Sequence, residues 1–202
     1  MATEFEVKYA VEDLLTLDCI LCDAQLLPLL QGRYENIQMQ TTYYDTPDGA
    51  LSARRWTLRL RQENGKSVIT LKTPSSGYAR GEFACEGEYL DEAADALVAA
   101  GAPEEIRALL ADGELAPVCG AKFVRITAPL HLEDGTRCAI CADIGDLTGG
   151  GKKAPLCELE LELLAGNEET LVAFAGSLAA RYHLKEEPAS KFARAHALAQ
   201  NG

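Results

Sequence analysis

The chain has 202 residues, of which 48% are apolar and 25% are charged, a composition typical of a globular protein and not of a disordered or fibrous one. Its 19 Lys and Arg against 31 Asp and Glu give a formal net charge of −12, which argues against general electrostatic binding to nucleic acid or to an anionic membrane surface. Any anionic ligand must therefore be bound by a local group of cations.

The N-terminal residues and the cysteines indicate the cellular compartment. No run of about 18 apolar residues predicts a membrane span, and residues 1–8 contain two acids and lack the basic-then-apolar order of a secretion signal. The seven cysteines are odd in number and lie in otherwise apolar segments, as expected of reduced thiols. These features predict a cytoplasmic protein without a disulfide framework, and they leave its oligomeric state open.

Hydrophobic periodicity predicts a chain that combines strands and helices. In chain order, it predicts a strand at 4–9, a helix at 12–30 and strands at 34–44, 56–62, 68–73 and 80–90. Two short helices follow at 91–100 and 103–111, then strands at 115–133, 136–147 and 156–164, and helices at 168–182 and 190–200. No repeat or change in composition divides the chain, so we predict one α+β domain over residues 1–202 with about eight mostly antiparallel strands.

Two glycine motifs predict hairpins. Asn64-Gly65 lies between two alternating runs, which is the strongest short-range hairpin signal. Gly149-Gly150-Gly151-Lys152 is superficially similar to a phosphate-binding loop, but such a loop lies between a strand and a helix and ends in Lys followed by Ser or Thr. We therefore predict a connection between two strands at this glycine run.

Other metal and nucleophile motifs are weak. Cys19 with Cys22 and Cys138 with Cys141 form two Cys-x-x-Cys pairs, which together could supply the four thiolates of a structural zinc site. The first pair falls in a predicted helix and the second in a predicted strand, where residues three apart point to opposite faces. Buried thiols are the better interpretation. No catalytic triad is predicted from the three isolated histidines, which are His131, His183 and His196.

Three predicted strands carry rows of charges on their polar faces. Side chains two residues apart lie on one face about 6 to 7 Å from each other, so a row of like charges needs counter-charges. One interpretation makes these faces the solvated outside of a sheet. The other closes the sheet into a barrel with a charged interior, an apolar outside covered by helices, and room for a small ligand. The rows are Glu4, Glu6 and Lys8 in the first strand, Arg59 and Arg61 in the third, and Glu158, Glu160 and Glu162 in the last.

A charged barrel interior would bring carboxylates and cations together. Carboxylate clusters suit Mg²⁺ or Mn²⁺, which keep several waters and bind through a few carboxylates and substrate phosphates. Arg and Lys suit the phosphates themselves. The pattern therefore indicates a site for a polyphosphate and a divalent metal. Basic residues concentrate in one segment, which contains Arg54, Arg55, Arg59, Arg61, Lys66, Lys72 and Arg80.

An ordered set of motifs resembles the CYTH superfamily, the triphosphate tunnel metalloenzymes. Glu4-Phe5-Glu6-Val7-Lys8 is similar to the Glu-x-Glu-x-Lys signature of that superfamily. One such motif would be weak evidence, but the set keeps the family's order over nearly the whole chain. Its further members are Tyr43-Tyr44-Asp45-Thr46, Leu58-Arg59-Leu60-Arg61, Thr70-Leu71-Lys72, Arg80-Gly81-Glu82, Lys122-Phe123-Val124-Arg125, Asp143-Ile144-Gly145, Glu158-Leu159-Glu160-Leu161-Glu162 and Ser190-Lys191-Phe192-Ala193-Arg194.

The resemblance implies an eight-stranded antiparallel β-barrel, a tunnel with helices packed on its outside and a metal-dependent site within it. Its implied cofactor is Mg²⁺ or Mn²⁺, and its implied catalytic residues are Glu6, Lys8 and Glu160. By position, the implied metal ligands are Glu4, Glu6, Asp143, Glu158 and Glu160. The implied phosphate-binding cations are Lys8, Arg59, Arg61, Lys72, Arg125 and Lys191, the last of which would close one mouth of the tunnel.

Three positions near these motifs stay open. The family often has another acid two residues after the position of Glu82, where this chain has Ala84. Glu86 has the same parity along the strand, and whether it takes that place is open. The role of Arg194 is open as well.

The resemblance implies an enzyme that hydrolyses the terminal phosphoanhydride of a triphosphate. Inorganic triphosphate is favoured because the chain has no recognisable extra element for a nucleoside, and neither nucleic acid nor a membrane is an expected partner. One alternative is a class IV-type adenylyl cyclase, which forms cyclic AMP from ATP. Another is a thiamine-triphosphatase in which Trp56, the single tryptophan, stacks on the ring. A third is a non-catalytic module that binds polyphosphate or metal.

Overall fold

A closed antiparallel β-barrel forms the centre of the computed structural model, which describes residues 3–74, 78–111 and 114–200. Within these residues, nine strands form one sheet in the order β5-β4-β3-β2-β6-β7-β8-β1-β9, and a further pairing of β5 with β1 closes the first eight into the barrel. The predicted fold class is therefore confirmed. The strands are β1 (Thr3–Ala10), β2 (Glu35–Asp45), β3 (Thr57–Glu63), β4 (Lys66–Thr73), β5 (Ala79–Glu86), β6 (Ala116–His131), β7 (Arg137–Gly149), β8 (Lys152–Ala165) and β9 (Lys185–Glu186).

Helices lie outside the barrel and at one of its ends. They are α1 (Leu14–Leu21), a 3₁₀ helix (Leu27–Leu29), α2 (Ala50–Ala53), α3 (Ala94–Ala99), α4 (Ile106–Ala111), α5 (Glu168–Tyr182) and α6 (Lys191–Gln200). None of the helices in the described residues is long and apolar enough to cross a membrane.

The apolar faces of the strands point outwards and are covered by these helices. Val7 of β1 packs in one core with Leu17 of α1 and Leu171 of α5. On the other side of the barrel, Leu71 of β4 packs in a second core with Leu97 of α3. Because successive side chains of a strand alternate between its two faces, these outward apolar residues direct the charged ones into the barrel. The barrel interpretation is therefore correct, and the solvated-sheet interpretation is wrong.

The helix predicted at 12–30 is wrong in its second half. The structure ends α1 at Leu21 and forms only the short 3₁₀ helix beyond it. Oδ1 of Asp23 accepts hydrogen bonds from the backbone N–H groups of Gln25 and Leu26, at 2.7 and 3.1 Å. Such local capping by an Asp side chain competes with the helical hydrogen bonds, and it ends the helix although the Leu pattern continues.

Two glycine hairpins are present where the sequence predicts them, while three other details differ. Asn64 and Gly65 connect β3 to β4 with positive φ angles of 49° and 86°, as a two-residue hairpin turn requires. The glycine run connects β7 to β8 and is not a phosphate loop. Strand β5 ends at Glu86 and not at residue 90, and the short elements α2 and β9 were not predicted. The extent of one domain over residues 1–202 stays a prediction, and residues 1, 2, 201 and 202 lie outside the described residues.

Candidate active site in the barrel interior

The barrel encloses a charged cavity of about 330 Å³, which we call the tunnel. The register between neighbouring strands explains why the tunnel is charged, because it places their inward-facing charged residues side by side. In this register Lys8 is opposite Glu160, Glu6 is opposite Glu162, and Lys72 is opposite Glu82. The charged residues that line the tunnel are Glu4, Glu6, Lys8, Arg59, Arg61, Glu63, Lys72, Arg80, Glu82, Arg125, Glu160, Glu162 and Lys191.

Three buried carboxylates form a group at the α6 side of the tunnel, which we call the acidic cluster: Asp143, Glu158 and Glu160. Strands β7 and β8 place them together, since Asp143 pairs in register with Glu158, and Glu160 lies two residues further along β8. One oxygen of each lies within 4.8 Å of the others. Such a set of hard oxygen ligands fits Mg²⁺ or Mn²⁺.

Among the described residues, three cations contact the acidic cluster: Lys191 and Arg194 of α6 and Arg125 of β6. Lys191, the first residue of α6, places its Nζ 2.7 Å from Oδ2 of Asp143 and 2.8 Å from Oε1 of Glu160, and it also contacts Glu158. Arg125 of β6 donates hydrogen bonds from Nε and Nη2 to the two carboxylate oxygens of Asp143, each at 2.7 Å, and also contacts Glu160. These contacts supply the counter-charges that buried carboxylates require.

Burial and these contacts shift the pKa values of Glu160 and Glu158 in opposite directions. Burial alone would raise the pKa of Glu160, but Lys191 and Arg125 hold it well below the ordinary value. Burial likewise would lower the pKa of Lys191, but Asp143 and Glu160 raise it. Burial raises the pKa of Glu158 despite its contacts with Lys191 and Arg194. Lys191 and Glu160 are therefore both ionised at neutral pH.

The two other predicted metal ligands lie apart from the acidic cluster. Glu4 contacts Lys72, which holds the pKa of Glu4 below its ordinary value although burial would raise it. Glu6 faces Glu162 across β1 and β8, and it forms no ion pair with any residue that the structure describes. Burial and the charges of Glu160 and Glu4 raise the pKa of Glu6 to about 7. The structure thus brings together three of the five predicted ligands and, within the residues it describes, leaves Glu6 without an ion pair.

The predicted phosphate-binding cations line the tunnel, and most of them contact a carboxylate or a hydroxyl group. Nη2 of Arg59 lies 3.2 Å from Oε1 of Glu82, and Nζ of Lys72 lies 3.7 Å from Oε2 of the same residue. Nε of Arg61 donates to Oγ1 of Thr41 at 2.9 Å, and burial lowers the pKa of Arg61 to about 10. In the described part of the chain, no ion pair is formed by Lys8, whose pKa burial lowers.

Phe123 is a part of the site that was not predicted from the sequence. Its ring lies under three cations, 5.3 Å from Nζ of Lys191, 5.7 Å from Cζ of Arg61 and 6.0 Å from Cζ of Arg125. A ring face attracts cations at such distances, so Phe123 holds them close together without neutralising them. Alternation along the strand could have indicated it, because Phe123 lies two residues before Arg125 and its side chain is on the same face of β6.

The open positions now have contacts. Glu82 lines the tunnel and accepts a hydrogen bond from Arg59, whereas Glu86 is exposed at the end of β5. Arg194 contacts Glu158 and lies 3.7 Å from Glu187. Glu82 therefore takes part in charge pairing, and Glu86 is not in the tunnel lining, where it would have to lie to take the place of an acid at the position of Ala84.

The cysteine pairs do not form a zinc site in the structure. Cys138 packs in the core outside the barrel, whereas Cys141 lines the tunnel. Cys19 and Cys22 are exposed on the surface. Burial raises the pKa of Cys138 to about 12 and that of Cys141 to about 11, so both are neutral thiols. The prediction of buried thiols is therefore confirmed for Cys138 and Cys141 and wrong for Cys19 and Cys22.

A second cavity, of about 640 Å³, adjoins the tunnel at the α6 end. It shares Thr57, Lys72 and Arg80 with the tunnel and adds the aromatic surfaces of Trp56 and His196. We call it the mouth cavity.

Comparisons with known proteins agree with this geometry. An inorganic triphosphatase from Haemophilus influenzae is 26% identical over 202 residues, which cover 98% of this chain and 55% of that protein. The chain therefore spans about half the length of this curated relative.

Solved structures show the same fold. A candidate adenylyl cyclase from Hippeastrum, described as having a dominant triphosphatase activity, superposes with a TM-score of 0.65 at 20% identity, covering 97% of this chain and 96% of that one. A candidate adenylate cyclase from Bacillus halodurans superposes with a TM-score of 0.59 at 19% identity, covering 96% and 98%. The CYTH domain matches residues 2–196, and the chain therefore belongs to the CYTH family.

Proposed function

We propose that this CYTH protein is a divalent-metal-dependent triphosphatase and that inorganic triphosphate is its main substrate. The observation that carries the proposal is the tunnel itself, whose wall combines cations of β3 and β4 with Glu160 of the buried acidic cluster. A ligand that fits both the cations and the carboxylates must be strongly anionic and must accept a metal ion. A triphosphate with a bound divalent cation meets both requirements.

The cations of the tunnel wall would bind the phosphate chain. Arg59 and Lys72 now contact Glu82, and the same donors can turn to phosphate oxygens when a triphosphate enters. Among the described residues Lys8 lines the tunnel and forms no ion pair, so it would bind a phosphate without first giving one up. Fixing the chain at several points would hold it in line for displacement and stabilise the charge that develops.

The acidic cluster would hold Mg²⁺ or Mn²⁺. When bound, such an ion polarises the phosphoryl group and orients the attacking water. Lys191 and Arg125 would then share the carboxylates of the cluster with the ion, and Phe123 keeps both cations beside the reacting group. Water adds to the terminal phosphorus, the phosphoanhydride bond breaks, and orthophosphate and diphosphate leave.

The mouth cavity supports a second candidate substrate. Its Trp56 and His196 could stack on the ring of an organic triphosphate, such as a nucleoside or thiamine triphosphate. Ring faces stack on any base, whereas strong discrimination between bases usually requires hydrogen-bond donors and acceptors placed for one of them. We therefore rank inorganic triphosphate first. An adenylyl cyclase and a non-catalytic binding module are the remaining alternatives.

A release assay tests the function directly. Purified protein is incubated with inorganic triphosphate, ATP or thiamine triphosphate, with Mg²⁺ or Mn²⁺, and both orthophosphate and cyclic AMP are measured. We expect the highest kcat/KM with inorganic triphosphate, no cyclic AMP, and no turnover in excess EDTA. A preference for ATP or formation of cyclic AMP would favour the alternatives, and full activity in EDTA would exclude the metal-dependent mechanism.

A matched pair of variants links the activity to the tunnel. Glu160→Gln removes a charge of the acidic cluster and should lower turnover by about 10³-fold. Glu105→Gln makes the same change on the exposed surface near α4 and should leave turnover unchanged.

The cytoplasmic location and the extent of the domain stay predictions.

A further inference from the structure

The hairpin between β7 and β8 packs against α6 through backbone atoms. A Cβ placed on Gly149 would come far closer to the carbonyl oxygen of Ala195 than the 3.4 Å at which ordinary contact begins, and would lie 3.1 Å from the N atom of Ala199. A Cβ on Gly150 would lie 2.8 Å from Cα of Ala199. Because these are backbone atoms of a helix, they cannot rotate away as a flexible side chain would.

Turn geometry does not explain Gly149. Gly150 and Gly151 have positive φ angles of 57° and 74°, so the turn itself requires glycine at these two positions. Gly149 has no positive φ angle, and it is a buried residue at the end of β7. An ordinary side chain could adopt its backbone conformation, and only the space beside α6 requires glycine there.

This close approach fixes the part of α6 that carries Lys191. Ala195 is fully buried and lies one helical turn after Lys191, so the two residues share a face of the helix. Lys191 reaches the acidic cluster with its Nζ at 2.7 Å from Asp143 and 2.8 Å from Glu160. A methyl group at residue 149 would push α6 back by roughly 1 Å, because packed backbones cannot absorb it locally. Such a shift would take Lys191 out of hydrogen-bond distance.

We propose that Gly149 is a positioning residue, whose contact with the backbone of α6 sets how far Lys191 enters the tunnel. The effect of Gly149 on turnover rests on the proposed triphosphatase function, whereas its effect on the position of Lys191 does not. A misplacement of about 1 Å at an active site can lower the rate by about 10²-fold. Gly149→Ala should therefore lower kcat/KM for inorganic triphosphate by about that factor, although residue 149 contacts neither substrate nor metal.

Two glycine-to-alanine controls separate this effect from a general loss of stability. Gly176 lies on the exposed side of α5, and a Cβ added there would meet no atom within 4 Å, so Gly176→Ala should leave kcat/KM unchanged. Gly151→Ala strains the turn of the same hairpin but meets no atom within 4 Å. It should lower the melting temperature and leave kcat/KM within about twofold of the wild type.

A double-mutant cycle tests whether Gly149 acts through Lys191. If it does, adding Gly149→Ala to Lys191→Met should lower kcat/KM by less than about twofold, since the lysine is already absent. A crystal structure of Gly149→Ala should show Nζ of Lys191 moved away from Asp143 and Glu160. Additive losses in the cycle, an unchanged position of Lys191, or an unfolded Gly149→Ala protein would each overturn the proposal. Failure of the wild type to hydrolyse any triphosphate would refute the proposed function, and the position of Lys191 in the variant would still decide this inference.

Discussion

Replacing Lys191 by Met should destabilise the folded protein strongly when no divalent cation is present. The side chain of Lys191 is 7% exposed, and its ammonium group contacts all three carboxylates of the acidic cluster. Met has a similar length but no charge, so the variant retains the packing of the side chain and loses the counter-charge. Arg125 still contacts two of the carboxylates, and Arg194 still contacts Glu158.

The magnitude follows from the cost of leaving a buried charge uncompensated. Removing one partner of a buried ion pair typically costs about 3–5 kcal/mol, and the two remaining arginines place the expected loss near about 3 kcal/mol. For a chain of this size, each kcal/mol lowers the melting temperature by about 2–4 °C, so we expect a decrease of roughly 6–12 °C.

Chemical denaturation in EDTA measures the loss, and repeating it with Mg²⁺ tests the cause. A cation that binds the cluster at 100 times its dissociation constant would restore about 2.7 kcal/mol. We expect Mg²⁺ to stabilise Lys191→Met more than the wild type, because the ion takes the place of the lost ammonium group. Lys66→Met, on the exposed β3–β4 hairpin, is the matched control. If Lys191→Met were as stable as Lys66→Met in EDTA, the charge-compensation argument would be wrong.

Two further outcomes are expected from the tunnel wall. Arg59→Ala leaves a charged hydrogen bond to phosphate unmade, which costs about 1.5–3 kcal/mol and should lower kcat/KM by roughly ten- to a hundred-fold, whereas Lys66→Ala should have no effect in the same phosphate-release assay. Glu6 has a pKa of about 7 in the folded chain against an ordinary value of 4.5, so the folded state binds more protons between these values and the free energy of unfolding falls as pH rises through them. Denaturation in EDTA at pH 5 and pH 8 should show this fall in the wild type and a smaller one in Glu6→Gln, and an equal fall in both proteins would contradict the assignment.

The rows of like charges left closure of the sheet as one of two interpretations and the family motifs implied it, but the partners of those charges could not be predicted. Alternation along β1 already separates Glu6 from Val7, and only one face can be apolar and packed. Which carboxylate meets which cation depends on the register between strands far apart in the chain. Glu4 contacts Lys72 because β5 closes onto β1, a pairing that no local pattern specifies.

The cation partner of the acidic cluster could not be predicted from the sequence either. Glu158 and Glu160 are visible in the sequence as an alternating row, yet their cation comes from the start of α6, about 30 residues later in the chain. The break of the first helix at Asp23 was missed for a different reason. Its cause is a side chain that caps its own backbone, and the surrounding leucines retain helical spacing throughout.

The helices follow physically from the charged interior. In a small barrel with apolar side chains inside, the outer face can be polar and can meet water. Here the interior is taken by charges, so the apolar residues Val7 and Leu71 point outwards and would be exposed without a second layer. Each such side chain stabilises the fold by about 1.5–3 kcal/mol only when it is buried. Helices α1 and α5 on one side, with α3 and α4 on the other, provide that burial, and they offset the cost of keeping ion pairs where a core would otherwise form.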